Sequence, residues 1–337
     1  MPDARGQWHL LTLGDSILWG QGLRDANKIV VRTAQSLSQA KGVTVNLHVY
    51  AHSGAWIWNQ VVQPPHPDDP SMASLAQSGR LTLPGNDSTR DFIGERPLPE
   101  PYVWSQLHQA SLDLAHLGVS PDVVLLDGGI NNIGVFEIVN STHDAAWMQR
   151  QVDALRGWMY ELLLGVHGHF PAAHLVVTGY YPVFSNLSFA LGADLASRTF
   201  IHAVTGLNAF GVLHPMQDLV ALSRTFSQGI HANLSADVQR FNGQVGASVA
   251  AYAPPRFTAA NAYAAPRCLL WQLNLNPLHF LEPMDDAVAE REAALGGAQG
   301  LERQVGLRCS AGHPNREGAE RYHEAVVKAL KALGVLP

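Results

Sequence analysis

The chain has 337 residues, 47% of them hydrophobic and 15% charged, with 30 glycines. That is ample for a buried core, in one large domain with insertions or in two smaller domains. The formal net charge of −6 leaves no electrostatic footprint for nucleic acid, and no apolar run is long enough to span a bilayer. The first residues carry no charged segment followed by an apolar one, so no signal peptide is expected. As written the chain reads as cytoplasmic, or as secreted if it is a trimmed mature form. The two cysteines, Cys268 and Cys309, make no disulfide framework, and both a pair and two separate thiols remain open.

In chain order, a short apolar run, Trp8 to Leu13, stops at the corner Gly14-Asp15-Ser16. A strand ending this way leaves Ser16 at the carboxyl edge of a sheet, where open α/β sheets bind ligands. From about Asp25 to Ala40 the pattern is helical, with Ile29, Val30, Ala34 and Leu37 on one face and Gly42 as the stop. Val43, Val45, Leu47 and Val49 alternate as a second strand, which ends in His52-Ser53-Gly54. Trp56 to Val62 has the makings of a helix start. Pro64 to Pro101 is rich in Pro, Gly, Asp and Ser and reads as a long insertion, with a short helix at Met72–Gln77.

A helix is expected at about Val103–Leu117. The clearest strand follows, Val123 to Leu126, closed by Asp127-Gly128-Gly129-Ile130-Asn131-Asn132. Its continuous apolar run suits a strand covered on both faces. Asp144 to about His167 reads as one long helix, with Met148, Val152, Leu155, Met159 and Leu162 at helical spacing. Leu175 to Gly179 is the fourth strand. Residues 183–235 hold apolar, helical pieces around Phe200–Val204 and Leu219–Phe226. Ala236 to about Ala250 looks helical and leads to a weak strand near Val249–Tyr252. Further on stand a second strand candidate at Leu269–Leu275 and an acidic helix near Asp285–Leu295. The last helix carries Ala319, Tyr322, Val326, Leu330 and Leu333 on one face. Strand and helix alternate throughout, which gives a three-layer α/β/α sandwich with a mainly parallel sheet. The chain is read as one domain, 1–337, with insertions at about 63–101, 183–235 and 254–308.

Ser16, Gly54, Asn131 and His313 all fall at or near strand ends or just before the last helix. In a parallel sheet those ends lie along one edge, so residues distant in sequence meet there. The types are those acyl transfer needs: a nucleophile, donors for an oxyanion, and a base. Each residue also has a bland reading. Gly14 and Gly54 fit turns, Asn131 fits a cap, and His313 before Pro314 fits a solvated loop.

The ordered blocks resemble the SGNH or GDSL-type serine hydrolases over nearly the whole chain. They are Leu13-Gly14-Asp15-Ser16-Ile17, the glycine of Ser53-Gly54, Gly129-Ile130-Asn131-Asn132, and Ser310-Ala311-Gly312-His313-Pro314. Two positions depart from the family pattern: Asn132 and Ser310 each stand where it has Asp. The resemblance implies a flavodoxin-like five-stranded sheet. It implies Ser16 as nucleophile and His313 as general base and then acid. It places the oxyanion between the Ser16 N–H, the Gly54 N–H and the Asn131 side-chain amide. It implies cleavage of a small-molecule or lipid carboxylic ester through an acyl-enzyme, with no metal or organic cofactor. An acyltransferase or thioesterase on the same site is the near alternative, and a non-catalytic binding module of the same fold is the rival from another class.

With Ser310 in place of an acid, three arrangements follow. One is a Ser16–His313 dyad oriented by a hydroxyl such as Ser310 or by a backbone carbonyl. Another is an acid from elsewhere, with Asp127, Glu282, Asp285 and Asp286 as candidates. The third is an inactive site. The dyad is favoured, because ester hydrolysis is less demanding than amide cleavage. Leu213, Met216, Leu219, Val220, Leu222 and Phe226 fit a helix packed on the core better than a wall for an acyl chain. Rival motifs are weaker. Gly20-Gln21-Gly22 lacks the third glycine of a dinucleotide fingerprint. No Gly-x-Ser-x-Gly elbow occurs, and His167-Gly168-His169 reads as a solvated helix end.

Overall fold

Five short strands, all parallel, form one sheet in the order β2-β1-β3-β4-β5. They are β1 (Trp8–Leu13), β2 (Val45–Val49), β3 (Val123–Leu126), β4 (His174–Thr178) and β5 (Ala250–Ala253). The computed structural model describes residues 6–57, 102–138, 143–188, 216–272, 290 and 310–337. The fold class and the five strands agree with the expectation from sequence. Strand β3 is buried along its whole length, as its unbroken Val-Val-Leu-Leu run requires. Edge strand β2 is half-buried and carries polar residues between its apolar ones.

Nine α-helices lie among the described residues, eight between strands and one after β5. They are α1 (Ser16–Trp19), α2 (Ile29–Lys41), α3 (Val103–Leu117), α4 (Ile130–Ile133), α5 (Val135–Ile138), α6 (Ala145–Ala154), α7 (Trp158–His169), α8 (Met216–Val245) and α9 (Arg316–Ala332). Helices α2 and α9 pack on each other over one face of the sheet, while α3, α6, α7 and α8 form a connected layer over the other. The core between them includes Leu10, Leu11 and Leu13 of β1 and Tyr322, Val326 and Leu330 of α9. None of the described helices is long and apolar enough to cross a membrane.

Several local expectations are corrected. The single helix expected over 144–167 is two, because Leu155 to Gly157 break it and Gly157 takes φ +86°. The apolar period runs through the break because both helices face the same core. The separate pieces expected at 219–226 and 236–250 belong to one 30-residue helix, α8, which ends at Val245 and not near Ala250. Its Leu219, Leu222 and Phe226 are buried in the main core, so residues 216–235 form a structural layer. The stretch from Leu269 is no strand among the described residues. It pairs with the segment before α9, where Leu270 bridges Pro314 in antiparallel fashion. Trp56 and Ile57 are not helical, and Trp56 bridges Tyr102 instead. The expected helices at 72–77 and 200–204 and most of 285–295 lie outside the described residues, as do Leu213, Cys309, Glu282, Asp285 and Asp286.

The strand order places the topological switch between β1 and β3. The connection leaving β1 goes to β2 on one side, and β3 lies on the other. A crevice opens at such a point beyond the carboxyl ends of the strands. Ser16 follows β1 and Asn131 follows β3, so the two flank it.

Candidate active site

Ser16 begins α1, directly after the turn that ends β1. The turn is tightly specified. Asp15 is the N-cap, and its Oδ1 accepts the Ile17 N–H at 2.9 Å. Gln106 on α3 clamps the Gly14 peptide from both ends, accepting its N–H at 2.7 Å and donating to its carbonyl at 2.8 Å. Gly14 is required sterically: a Cβ there would run into Asp127 Oδ1. Ser16 is buried, with 8% of its surface exposed.

His313 comes from the far end of the chain. Its Nε2 lies 2.7 Å from Ser16 Oγ, across 297 residues of sequence. The loop that carries it is braced through its backbone. Trp271 donates its N–H to the His313 carbonyl at 2.8 Å and accepts the Gly312 N–H at 2.9 Å. Asn315 N–H donates to the Leu269 carbonyl at 2.9 Å. The Tyr181 hydroxyl donates to the Gly312 carbonyl at 2.7 Å. Asn315 then caps α9 by accepting the Gly318 N–H at 2.9 Å. Ser310 is fully buried at the base of this turn, and its carbonyl accepts the His313 N–H at 3.1 Å.

The loop after β2 is fastened to both neighbours. His52 N–H donates to the Gly14 carbonyl at 3.0 Å, and Ser53 Oγ donates to Gln21 Oε1 at 2.7 Å. Gln21 in turn donates its N–H to the Ser16 carbonyl at 3.0 Å. Gly54 takes φ +76°, a conformation that favours glycine. Asn131 Nδ2 donates to the Ala55 carbonyl at 2.9 Å, which joins the third block to the second. Asn132 accepts the Ile57 N–H at 2.8 Å through Oδ1. An amide oxygen serves there as a carboxylate would, so the Asn132 departure leaves the loop supported.

Residues read from sequence as one site therefore meet: Ser16 and His313 directly, Gly54 and Asn131 through Ala55. Asp127 is corrected as a candidate third member of a triad. Its Oδ1 accepts the Asp15 N–H at 2.6 Å, and none of its hydrogen bonds reaches His313. Burial first, and the neighbouring Asp15 charge second, hold its carboxyl well above the usual carboxylate range. Burial also raises Asp15, against the lowering effect of the Tyr180 hydroxyl, which donates to it at 2.6 Å. Burial keeps the Tyr180, Tyr181 and Tyr322 phenols protonated, far above their ordinary range.

Sequence reasoning missed Gln106, Tyr180, Tyr181 and Trp271. Only Tyr180-Tyr181 carried a signal, as aromatic residues at the carboxyl end of β4. Among the described residues no group of three or more metal-ligating side chains gathers. The fold and the site together define a doubly wound α/β/α protein with a serine–histidine pair at its switch point.

No family model and no curated protein matches the chain. Among solved structures it is similar to an extracellular lipase from Streptomyces rimosus, at 14% identity and a TM-score of 0.46 over 96% of this chain and 99% of that one. It is similar to phospholipase A1 from Streptomyces albidoflavus, at 15% identity and a TM-score of 0.43 over 96% and 99%. A family 2 carbohydrate esterase from Corynascus thermopiles gives 15% identity and a TM-score of 0.41 over 97% of this chain and 67% of that one. Likenesses this distant carry no argument about activity, which rests on the site itself.

Proposed function

We propose that this protein is a serine hydrolase of the SGNH type that cleaves carboxylic esters through an acyl-enzyme. The observation that carries the reading is the 2.7 Å contact between Ser16 Oγ and His313 Nε2. A serine hydroxyl is a weak nucleophile until a base removes its proton as it attacks. His313 is placed to take that proton and return it to the leaving alcohol. Water then repeats the cycle on the acyl-enzyme. The Ser16 and Gly54 N–H groups and the Asn131 amide supply neutral donors for the oxyanion, which they stabilise more than the ground-state carbonyl.

Ser310 is the proposed orienting group for His313, through its hydroxyl or through the backbone turn that its carbonyl closes. The direct Ser16–His313 contact favours a hydrolase over a binding module, which has no need to place a base on a serine. The test is labelling with a fluorophosphonate probe together with turnover of p-nitrophenyl esters of graded chain length. Ser16→Ala should abolish both and leave the fold intact. Hydrolysis retained by a folded Ser16→Ala protein would remove the assignment.

A further inference from the structure

Directly behind the nucleophile turn, two acids are buried together. Asp15 and Asp127 are both fully buried. Asp15 accepts the Tyr180 hydroxyl at 2.6 Å through Oδ2 and the Ile17 N–H at 2.9 Å through Oδ1. Asp127 accepts the Asp15 N–H at 2.6 Å, and the Leu18 N–H also donates to it. The titratable groups that face the pair are Tyr180 and Tyr181 beyond β4, Tyr322 on α9, and His313 across Ser16. The neutral Gln106 amide closes the α3 side. No lysine or arginine among the described residues acts on either carboxyl.

Two adjacent carboxylates, out of water and without a cation, do not both ionise. We propose that Asp15 and Asp127 form a one-proton carboxyl pair that positions the Ser16 turn, with Asp127 as its neutral member. The hydrogen bonds assign the roles. Asp15 receives a phenol and a backbone N–H, donors that suit a charge. The two carboxyls hydrogen-bond each other, and Asp127 Oδ2 receives no other donor among the described residues. Such an oxygen costs far less as part of a neutral acid than of an anion. The pair takes the N–H groups of Asp15, Ile17 and Leu18, on both sides of Ser16, and neither carboxyl takes the Ser16 N–H. The peptide units that flank the nucleophile are thereby pinned, and the Ser16 N–H is left for the reaction. Gly14 belongs to the same device, since its missing Cβ is the space that Asp127 Oδ1 occupies.

Asp127 is a positioning residue here, and its kinetic role rests on the hydrolase reading; its protonation does not. The test therefore has two arms. Infrared spectra of unliganded wild-type and Asp127→Asn protein at neutral pH report the protonated-carboxyl C=O band. It should be present in the wild type and lost in the variant. Turnover of p-nitrophenyl acetate is the second arm. Asparagine keeps an acceptor for the Asp15 N–H and a donor toward Asp15. D127N should therefore hold kcat within about threefold of wild type, where displacing the turn costs up to about a hundredfold. Its rate should also persist to higher pH than the wild type's, because it has no second proton to lose. D127A should lower kcat far more than KM, and if it fails to fold, D127N alone decides. A band unchanged in D127N overturns the one-proton pair. D127N that is folded but as inactive as Ser16→Ala overturns the neutral role, since an ionised Asp127 is then required. If no variant and not even the wild type turns over an ester, the hydrolase reading fails, while the infrared arm still decides the pair.

Discussion

Asn131 has two amide hydrogens, and one is already committed to the Ala55 carbonyl at 2.9 Å. Alanine at this position removes both and should produce two separable losses. The first is structural: the bond to Ala55 holds the loop that carries Gly54, and a neutral hydrogen bond contributes a net ~0.5–1.5 kcal/mol. For a chain of this size each kcal/mol lowers Tm by roughly 1.5 °C. The second is kinetic. The remaining N–H is the proposed oxyanion donor, and loss of one such donor lowers kcat by about 10²–10³-fold, or ~2.7–4 kcal/mol. KM should change much less, because the donor acts mainly in the transition state. Thermal melts and p-nitrophenyl acetate kinetics on the same preparation separate the two. A lowered Tm with kcat preserved, or a loss confined to KM, refutes the oxyanion role and leaves Asn131 as a loop anchor only.

Ser310→Ala should cost at most about tenfold in kcat/KM, ~1.4 kcal/mol, while His313→Ala is nearly as severe as Ser16→Ala; equal damage from the two would make Ser310 an essential third member. Phe226 is fully buried against Tyr180, with ring centroids 5.8 Å apart. Phe226→Ala should therefore cost ~3–5 kcal/mol in denaturant unfolding and affect acetate and long-chain esters alike, whereas a loss selective for long chains would make α8 an acyl-chain wall. The Asp127 carboxyl is raised in the folded protein, so the native state keeps a proton that the unfolded chain releases. Its stabilising effect is complete below the unfolded carboxyl range and is lost as pH rises toward the folded value, by up to about 1.4 kcal/mol per pH unit. Asp127→Asn should flatten that part of the pH–stability curve, and an unaltered slope would place the titration elsewhere.

The parts of the fold legible in sequence are those where one local signal suffices. The Val123–Leu126 run reads as a buried strand because both faces must be apolar. Helix α3 reads to the residue because its apolar stripe ends at a glycine C-cap, Gly118. Helix α8 was obscured by Gly229 in its interior, where glycine costs helix stability. The structure supplies the reason: a Cβ at 229 would sit 2.7 Å from Val152 Cγ1, so the close packing of α8 on α6 needs the glycine. The Leu269 stretch carries strand-like residues, but its partner is the His313 loop, and nothing local reveals that.

By itself the sequence determined the alternation of strands and helices, the parallel sheet, and the residue types gathered at its carboxyl edge. Those follow from periodicity and from corner residues, which act over a few positions. The tertiary structure decided what lies far apart in the chain. It set His313 against Ser16 and braced it with Trp271 and Tyr181. It turned Asp127 away from the imidazole and into the support of the Ser16 turn. The difference is physical: a backbone preference is a property of neighbours in sequence, whereas burial and its effect on a carboxyl arise only once segments more than a hundred residues apart have excluded water together.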